Sequence, residues 1–326
     1  MVNMAGCVFL FPGQGAQYPG MALDFFDASP SVQQLFELAS EVMGADMRML
    51  LRDSDEEMLK RTDIAQPAIT LANLAACYYL AGLGISASAA AGFSLGEYAA
   101  LVAAGVLGAE ACFKLVEARG RAMQRSADAL TAHASAPGMA AVIGLGPETV
   151  ESLIAEWKTA GLTDLYGANY NSPKQVVVSG TAAALAAAAE RFKAEGARRV
   201  IPLAVAGPFH SPLIADAAEE FRPVLEAAVF NDPLIPCYSN VSGKAITSGS
   251  EAKKLALLQI TSPVRWTDEE AVIAGAITEA QNCVLLETGP GKVLQGLWKD
   301  SGSGLPCYAS GSVADIDKFL EITRQE

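Results

Sequence analysis

Residues 92–96 read Gly-Phe-Ser-Leu-Gly, a serine two positions from a glycine on either side. This G-x-S-x-G spacing suits a nucleophile on a sharp strand-to-helix turn, its hydroxyl exposed at the end of a sheet. The bland alternative is a small residue in a tight turn, and the flanking sequence separates the two. "ISASAAAGF" (85–93) leads in as a weak strand whose small residues would let neighbours pack closely. "SLGEYAALVAAGVL" (94–107) leads out as a helix beginning at the serine. That is the context the motif requires, so Ser94 is read as a nucleophile.

A serine nucleophile needs a base, and histidine is the usual one. The chain has two histidines. His133 lies in the polar loop "TAHASAPG" and is expected to be exposed. His210, in the turn "VAGPFHSP", is the better-placed partner and is taken as the base. An ordinary α/β-hydrolase would place its histidine near the C-terminus, with an acid between serine and histidine. His210 is well short of residue 326, and no acid stands out in a strand-end loop before it. A serine esterase or thioesterase is therefore the second reading.

Other chemistries fit less well. "GQGAQYPG" lacks the third glycine of a dinucleotide loop, with Tyr18 at that position, and the helix behind it starts late. Gly291-Lys292 lacks the upstream glycine and following hydroxyl of a P-loop. With two histidines and no H-E-x-x-H, no metal site is expected. A net charge of −13 argues against nucleic acid as a partner.

These residues must be held by a scaffold. A 51% hydrophobic, 18% charged chain of 326 residues can bury a large core and hold more than one domain. No apolar run is expected to approach the length of a membrane-spanning helix, and "CVFLF" (7–11) reads as a buried strand rather than a signal segment. Six scattered cysteines without C-x-x-C spacing read as reduced thiols of a cytoplasmic protein. Strand-like runs alternate with helical patterns, among them helices over 66–81 and 109–130, which gives the α/β class. From "MAAVIGL" to "ARRVIPL" the order becomes β-α-β-β-α-β, the ferredoxin-like succession. We therefore expect a small ferredoxin-like domain (132–200) inserted into a discontinuous α/β-hydrolase-like domain (1–131 and 201–326). "IPCYSN" and "NCVLLETG" are read as later strands of the large domain, "SEAKKLALLQI" and "GKVLQGLW" as helices.

The ordered segments "FPGQGAQ", "GFSLGEYAAL", "VEARGRAMQ", "NYNSPKQVVVSG", "PFHSP", "TSPVRW" and "GPGKVLQGL" span nearly the whole chain. In that order they resemble the malonyl-CoA:acyl-carrier-protein transacylase family of fatty acid and polyketide synthesis. The resemblance implies an S-malonyltransferase that carries malonyl from malonyl-CoA to acyl carrier protein as an ester on Ser94. It implies His210 as base, oriented by the main-chain carbonyl of Gln259, with the backbone N–H groups of Leu95 and Gln14 as the oxyanion hole. It also implies Gln66 as a pocket residue, and Asn169, Asn171 and Gln175 as coenzyme A-binding positions. Arg119 would pair with the malonyl carboxylate, although by pattern alone an arginine in this helix would turn to solvent or a surface acid. Phe209 would wall off a methylmalonyl branch. No cofactor beyond the coenzyme A thioester substrate, no membrane or nucleic-acid partner, and a monomer are expected. Candidate docking groups for an acidic carrier protein are Arg191, Lys193, Arg198 and Arg199, or Lys253 and Lys254. The sequence departs from the family at Phe93, where a histidine usually precedes the nucleophile.

Overall fold

The computed structural model describes residues 6–131, 136–280 and 283–323. Among the described residues eight strands form two sheets. One contains β1 (Gly6–Phe11), β2 (Ala87–Gly92), β7 (Cys283–Glu287) and β8 (Cys307–Ala309), all parallel, in the order β2-β1-β7-β8. The other contains β3 (Gly138–Ile143), β4 (Leu165–Ser172), β5 (Gln175–Gly180) and β6 (Arg199–Pro202), antiparallel, in the order β4-β5-β3-β6.

The parallel sheet is covered on both faces, which is why β1 reads as an unbroken apolar run. Side chains alternate across it. Phe9, Phe11, Ala90 and Leu286 join the large core beneath the helices Thr62–Gly82 and Ala109–Thr131. Val8, Leu10, Ala89, Ala91 and Leu285 join a second core with Trp266 and Trp298.

The helix Thr62–Gly82 corrects one expectation. It is 21 residues long with a mean hydropathy of 1.2, enough by length and composition to cross a bilayer. In this fold 72% of that apolar window is buried, so its composition is that of a core helix. It starts before the expected Gln66 and carries Pro67 inside the helix, where proline supplies no N–H to the carbonyl of Asp63 one turn earlier. The helix expected from Ser94 runs instead from Gly96 to Ala103, and Gly105 at φ +75° turns the chain away. "IPCYSN" is not a full strand: Cys237 makes a single parallel bridge to Ala90 at the outer edge of β2, and Tyr238 bridges Ala245.

The antiparallel sheet packs its own core of Val142, Trp157, Val176 and Phe192 under the helices Pro147–Thr159 and Ala182–Ala194. It is tied to the rest of the molecule at β4, where Tyr170 N–H donates to Val264 O and Val264 N–H to Ala168 O, both at 2.8 Å. All six cysteines are free, and each is buried or half-buried.

Candidate active site

The turn carrying Ser94 follows directly from β2, and its two glycines are there for room. A Cβ on Gly92 would sit 2.1 Å from the carbonyl of Gly96, and one on Gly96 would sit 2.0 Å from Phe11 O. Neither position admits a side chain without moving backbone. Between them Ser94 adopts φ +50°. Only three described non-glycine residues have positive φ, and His210, at +57°, is another. Such conformations cost roughly 1–3 kcal/mol each and persist only where surroundings enforce them.

The two residues meet. Ser94 Oγ lies 2.8 Å from His210 Nε2. On the far side of the ring, Nδ1 faces two main-chain oxygens, Gln259 O at 2.9 Å and Ser262 O at 3.2 Å. Carbonyl oxygens only accept, so Nδ1 carries the proton and Nε2 presents its lone pair to the serine hydroxyl. Burial, followed by the positive charge of Arg119, lowers the pKa of His210 to about 4. The imidazole is thus neutral around pH 7, its Nε2 lone pair available to take a proton, with no carboxylate needed to orient it.

The segment holding His210 is gripped from the antiparallel sheet. The buried Ser179 hydroxyl on β5 donates to Phe209 O at 2.5 Å, one residue before the histidine. Val264, which β4 pins, stands two residues beyond Ser262. Asn169 on β4 forms the bridge to Val264, and both Asn169 and Asn171 are buried. The Oδ1 of Asn171 lacks a partner among the described residues. Gln175 opens β5 opposite Ser172, and among the described residues no hydrogen bond links its side chain to the serine–histidine pair. The Phe209 ring lies in the large core, with Met123 and Ala127 in the same cluster.

Arg119 points inward, not to solvent. It is 1% exposed, and its guanidinium lies over the Tyr98 ring at 5.6 Å. Nη1 donates to Gln66 Oε1 at 2.8 Å and Nη2 to Gln259 Oε1 at 3.1 Å, while Nε has no partner among the described residues. Burial lowers its pKa from the usual value. No carboxylate of the described residues makes an ion pair with it. Two neutral amide oxygens hold a buried cation whose Nε–H is left without a partner among the described residues.

The loop after β1 closes the other side. An added Cβ on Gly13 would lie 2.3 Å from Phe93 O and 3.6 Å from Leu95 N, so this loop is pressed against the serine turn. Gln14 Nε2 donates to Thr62 Oγ1 at 3.3 Å. The main-chain N–H groups of Leu95 and Gln14 have no acceptor among the described residues. Phe93 itself packs edge-on against Trp266, with ring centroids 5.6 Å apart, so an apolar contact occupies the place next to the serine.

Several participants had no obvious sequence signal. Glu97, fully buried, accepts from Asn240 N at 2.7 Å and Gln259 Nε2 at 3.1 Å. Desolvation raises its pKa to about 7. Asn240 Nδ2 in turn donates to Gly92 O at 2.7 Å and to the buried Glu269 Oε1 at 2.8 Å. The glutamate in "GFSLGE" and the asparagine in "CYSN" were the only hints. Among the basic groups, Lys193 pairs with Glu190, Arg191 lies over Trp157, and Lys253 donates to Glu226 O. His133 lies outside the described residues, as does the expected start of the small domain at 132.

Comparison with known proteins agrees with this arrangement. The acyl transferase domain family model matches residues 8–304. The chain belongs to the acyl transferase domain family. It is 36% identical over 325 residues to the malonyl CoA-acyl carrier protein transacylase of Bacillus subtilis strain 168, covering 99% of both chains. The crystal structure of an acyl carrier protein S-malonyltransferase from Vibrio cholerae O1 biovar eltor superposes with a TM-score of 0.87 at 37% identity, covering 96% of this chain and 99% of the other. A malonyl-transacylase solved with its type II polyketide acyl-carrier protein superposes with a TM-score of 0.86 at 37% identity, covering 97% and 99%. The acyl transferase family and these full-length likenesses share one mixed α/β fold, a parallel sheet beside an antiparallel one.

Proposed function

We propose that this acyl transferase is a malonyl-CoA:acyl-carrier-protein S-malonyltransferase of fatty acid or polyketide synthesis. The observation that carries the substrate class is Arg119: a buried cation, held by two amide oxygens and directly paired with no carboxylate of the described residues, beside a serine–histidine pair. A guanidinium in this state matches a planar carboxylate with two parallel hydrogen bonds. An acyl group with a free carboxylate satisfies it; acetyl does not.

The steps follow from the geometry. Ser94 Oγ attacks the thioester carbonyl of malonyl-CoA while His210 Nε2 takes the hydroxyl proton. The N–H groups of Leu95 and Gln14 receive the developing oxyanion, at the N-terminus of the helix Gly96–Ala103; one such donor is typically worth ~3 kcal/mol. The C–S bond breaks, and the imidazolium gives its proton to the leaving coenzyme A thiolate. The malonyl-Ser94 ester then meets the pantetheine thiol of acyl carrier protein, and the same proton path runs in reverse. The Gln259 and Ser262 carbonyls stabilise the transient imidazolium, the task a carboxylate performs in a triad. Gln66 holds Arg119, Asn169, Asn171 and Gln175 line the approach for the coenzyme A and pantetheine arms, and Phe209 limits the space at the malonyl α-carbon.

The same reading extends to architecture and setting. The β-α-β-β-α-β succession and the order β4-β5-β3-β6 support a ferredoxin-like domain (132–200) inserted into an α/β-hydrolase-like domain (1–131 and 201–326). The free thiols support a cytoplasmic setting, and the protein is taken to act as a monomer. Its partners are malonyl-CoA and acyl carrier protein, not nucleic acid or a membrane, and it uses no metal or redox cofactor.

Intact-mass analysis after mixing with malonyl-CoA tests the function. One malonyl group is expected on the protein and none on Ser94→Ala, with transfer to added carrier protein. Labelling of the alanine variant would overturn the role of Ser94. Release of free malonate as fast as carrier protein is charged would favour the esterase reading instead.

A further inference from the structure

The Gln259 side chain joins the nucleophile turn to the carboxylate clamp. Its Nε2 faces three acceptors: Ser94 O at 2.9 Å, Glu97 Oε2 at 3.1 Å and Asn240 Oδ1 at 3.1 Å. Its Oε1 faces Arg119 Nη2 at 3.1 Å. A side-chain amide has a donor end and an acceptor end of nearly equal shape, and only its partners decide which way it points. Reversed, it would set NH2 against a guanidinium that can only donate and an oxygen against three oxygens.

The three acceptors are not equivalent. Ser94 O is main chain. Asn240 Oδ1 belongs to another amide, which is itself oriented by Nδ2 donating to Gly92 O and Glu269 Oε1. Glu97 alone can carry a negative charge, and its Oε2 is held in place by Asn240 N at 2.7 Å. It stands one amide away from Arg119. A carboxylate bonded directly to the guanidinium would occupy the N–H groups a substrate needs; an intervening amide does not.

We infer that Glu97 is a positioning residue for acyl-group selection: by accepting from Gln259 Nε2 it fixes which end of that amide meets Arg119, and so keeps the guanidinium aligned and unspent for an incoming carboxylate. This rests on the malonyl-transfer reading above. Glu97 touches no reacting atom in this scheme, and the Gln259 carbonyl that orients His210 is main chain, so acyl transfer itself is left intact when Glu97 is changed.

The test is Glu97→Gln, which keeps the volume but removes the charge and the one-way polarity of the acceptor. Acylation by malonyl-CoA and by acetyl-CoA is measured on the folded variant at about pH 8, above the pKa near 7 of Glu97. Replacing a charged acceptor by a neutral one that can also donate should lower kcat/KM for malonyl about tenfold, mainly through KM. Acetyl transfer should stay within about twofold, since it does not use the clamp. In an Arg119→Ala background the effect of Glu97→Gln on the malonyl-to-acetyl ratio should vanish. Equal losses with both acyl groups, or an unchanged ratio, would overturn the proposal. If Glu97→Gln does not fold, Gln259→Leu cuts the relay from the other end, and the same fall in ratio is required of it. A wild-type protein that takes no malonyl, or shows no malonyl preference, defeats the functional reading and this one with it. A wild type that prefers malonyl beside a variant that keeps the ratio defeats this one alone.

Discussion

Arg119→Ala is the substitution that most directly probes the substrate class. Two charge-assisted hydrogen bonds to a carboxylate are together worth about 3–6 kcal/mol before the cost of drying the carboxylate is subtracted. Taking the lower half, malonyl transfer should fall about 10²–10³-fold. Acetyl transfer should hold or rise, because an acetyl group leaves the guanidinium unpaired in the wild type. The fold bears a separate cost. Gln66 Oε1 and Gln259 Oε1 both lose their donor, at about 1–3 kcal/mol each unless water enters the vacated space. Relief from burying an unpaired cation offsets part of this. Arg119→Lys should fail to rescue malonyl transfer, since one ammonium cannot bond both glutamines and grip a carboxylate side-on. The assay is initial rate of serine acylation with each thioester, alongside thermal melting to show that the variant is folded. A folded Arg119→Ala protein that keeps the wild-type malonyl-to-acetyl ratio would refute the assignment of Arg119, and with it the argument from an unpaired buried cation.

Four further outcomes can be checked. The acid limb of kcat/KM for acylation should lie near pH 4, because burial holds His210 neutral down to that value; a limb at the ordinary histidine pKa of 6.5 would contradict it. Between those two values the unfolded chain binds a proton that folded His210 refuses, so the histidine's contribution to stability rises with pH across that window. Glu270, raised to about 8 by burial, has the opposite sign: the native state loses stability as pH rises from 4.5 towards 8. Glu270→Gln, which keeps an acceptor for Trp266 Nε1, should therefore gain more Tm over wild type at about pH 8.5 than at about pH 5. Ser179→Ala frees Phe209 O and should lower kcat roughly tenfold with KM unchanged, whereas a matching rise in KM would mean general loosening of the small sheet. Phe209→Ser should raise methylmalonyl relative to malonyl transfer by roughly 10–200-fold while the carboxylate requirement stays; an unchanged ratio would make Phe209 core packing only.

What could be read from the sequence was whatever leaves a mark in residue type at short spacing. Gly92 and Gly96 are visible because backbone contacts at 2.1 and 2.0 Å forbid a side chain at either. The β-α-β-β-α-β order is visible because each element of the antiparallel sheet has its own period and turn. The direction of Arg119 was not visible: residue pattern alone favours solvent, and only the facing Gln66 and Gln259, 53 and 140 residues away, make an inward arginine tenable. Glu97 was hidden for the same reason, since a glutamate in the first turn of a helix reads as a solvated group favourable to the helix dipole. Ser262 was beyond reach altogether. It acts through a main-chain carbonyl, which every residue has, so no letter announces it.

The residues legible in the sequence depend on ones that were not. Ser94 and His210 both sit at positive φ, a conformation neither residue chooses freely. For Ser94 the strain is enforced by the close approach of β1 to Gly96 and by Gln259 Nε2 bonding Ser94 O. For His210 it is enforced by Ser179 gripping Phe209 O and by two carbonyls fixing Nδ1. Gln259 serves both: its main chain orients the base, and its side chain holds the nucleophile's carbonyl and the Arg119 guanidinium. A single residue thereby aligns attack, proton transfer and recognition of the acyl carboxylate. Recognition of the carboxylate works only if the Gln259 amide cannot turn over, which makes the polarity imposed on it by buried Glu97 and Asn240 a condition of acyl-group selection rather than an incidental feature of the core.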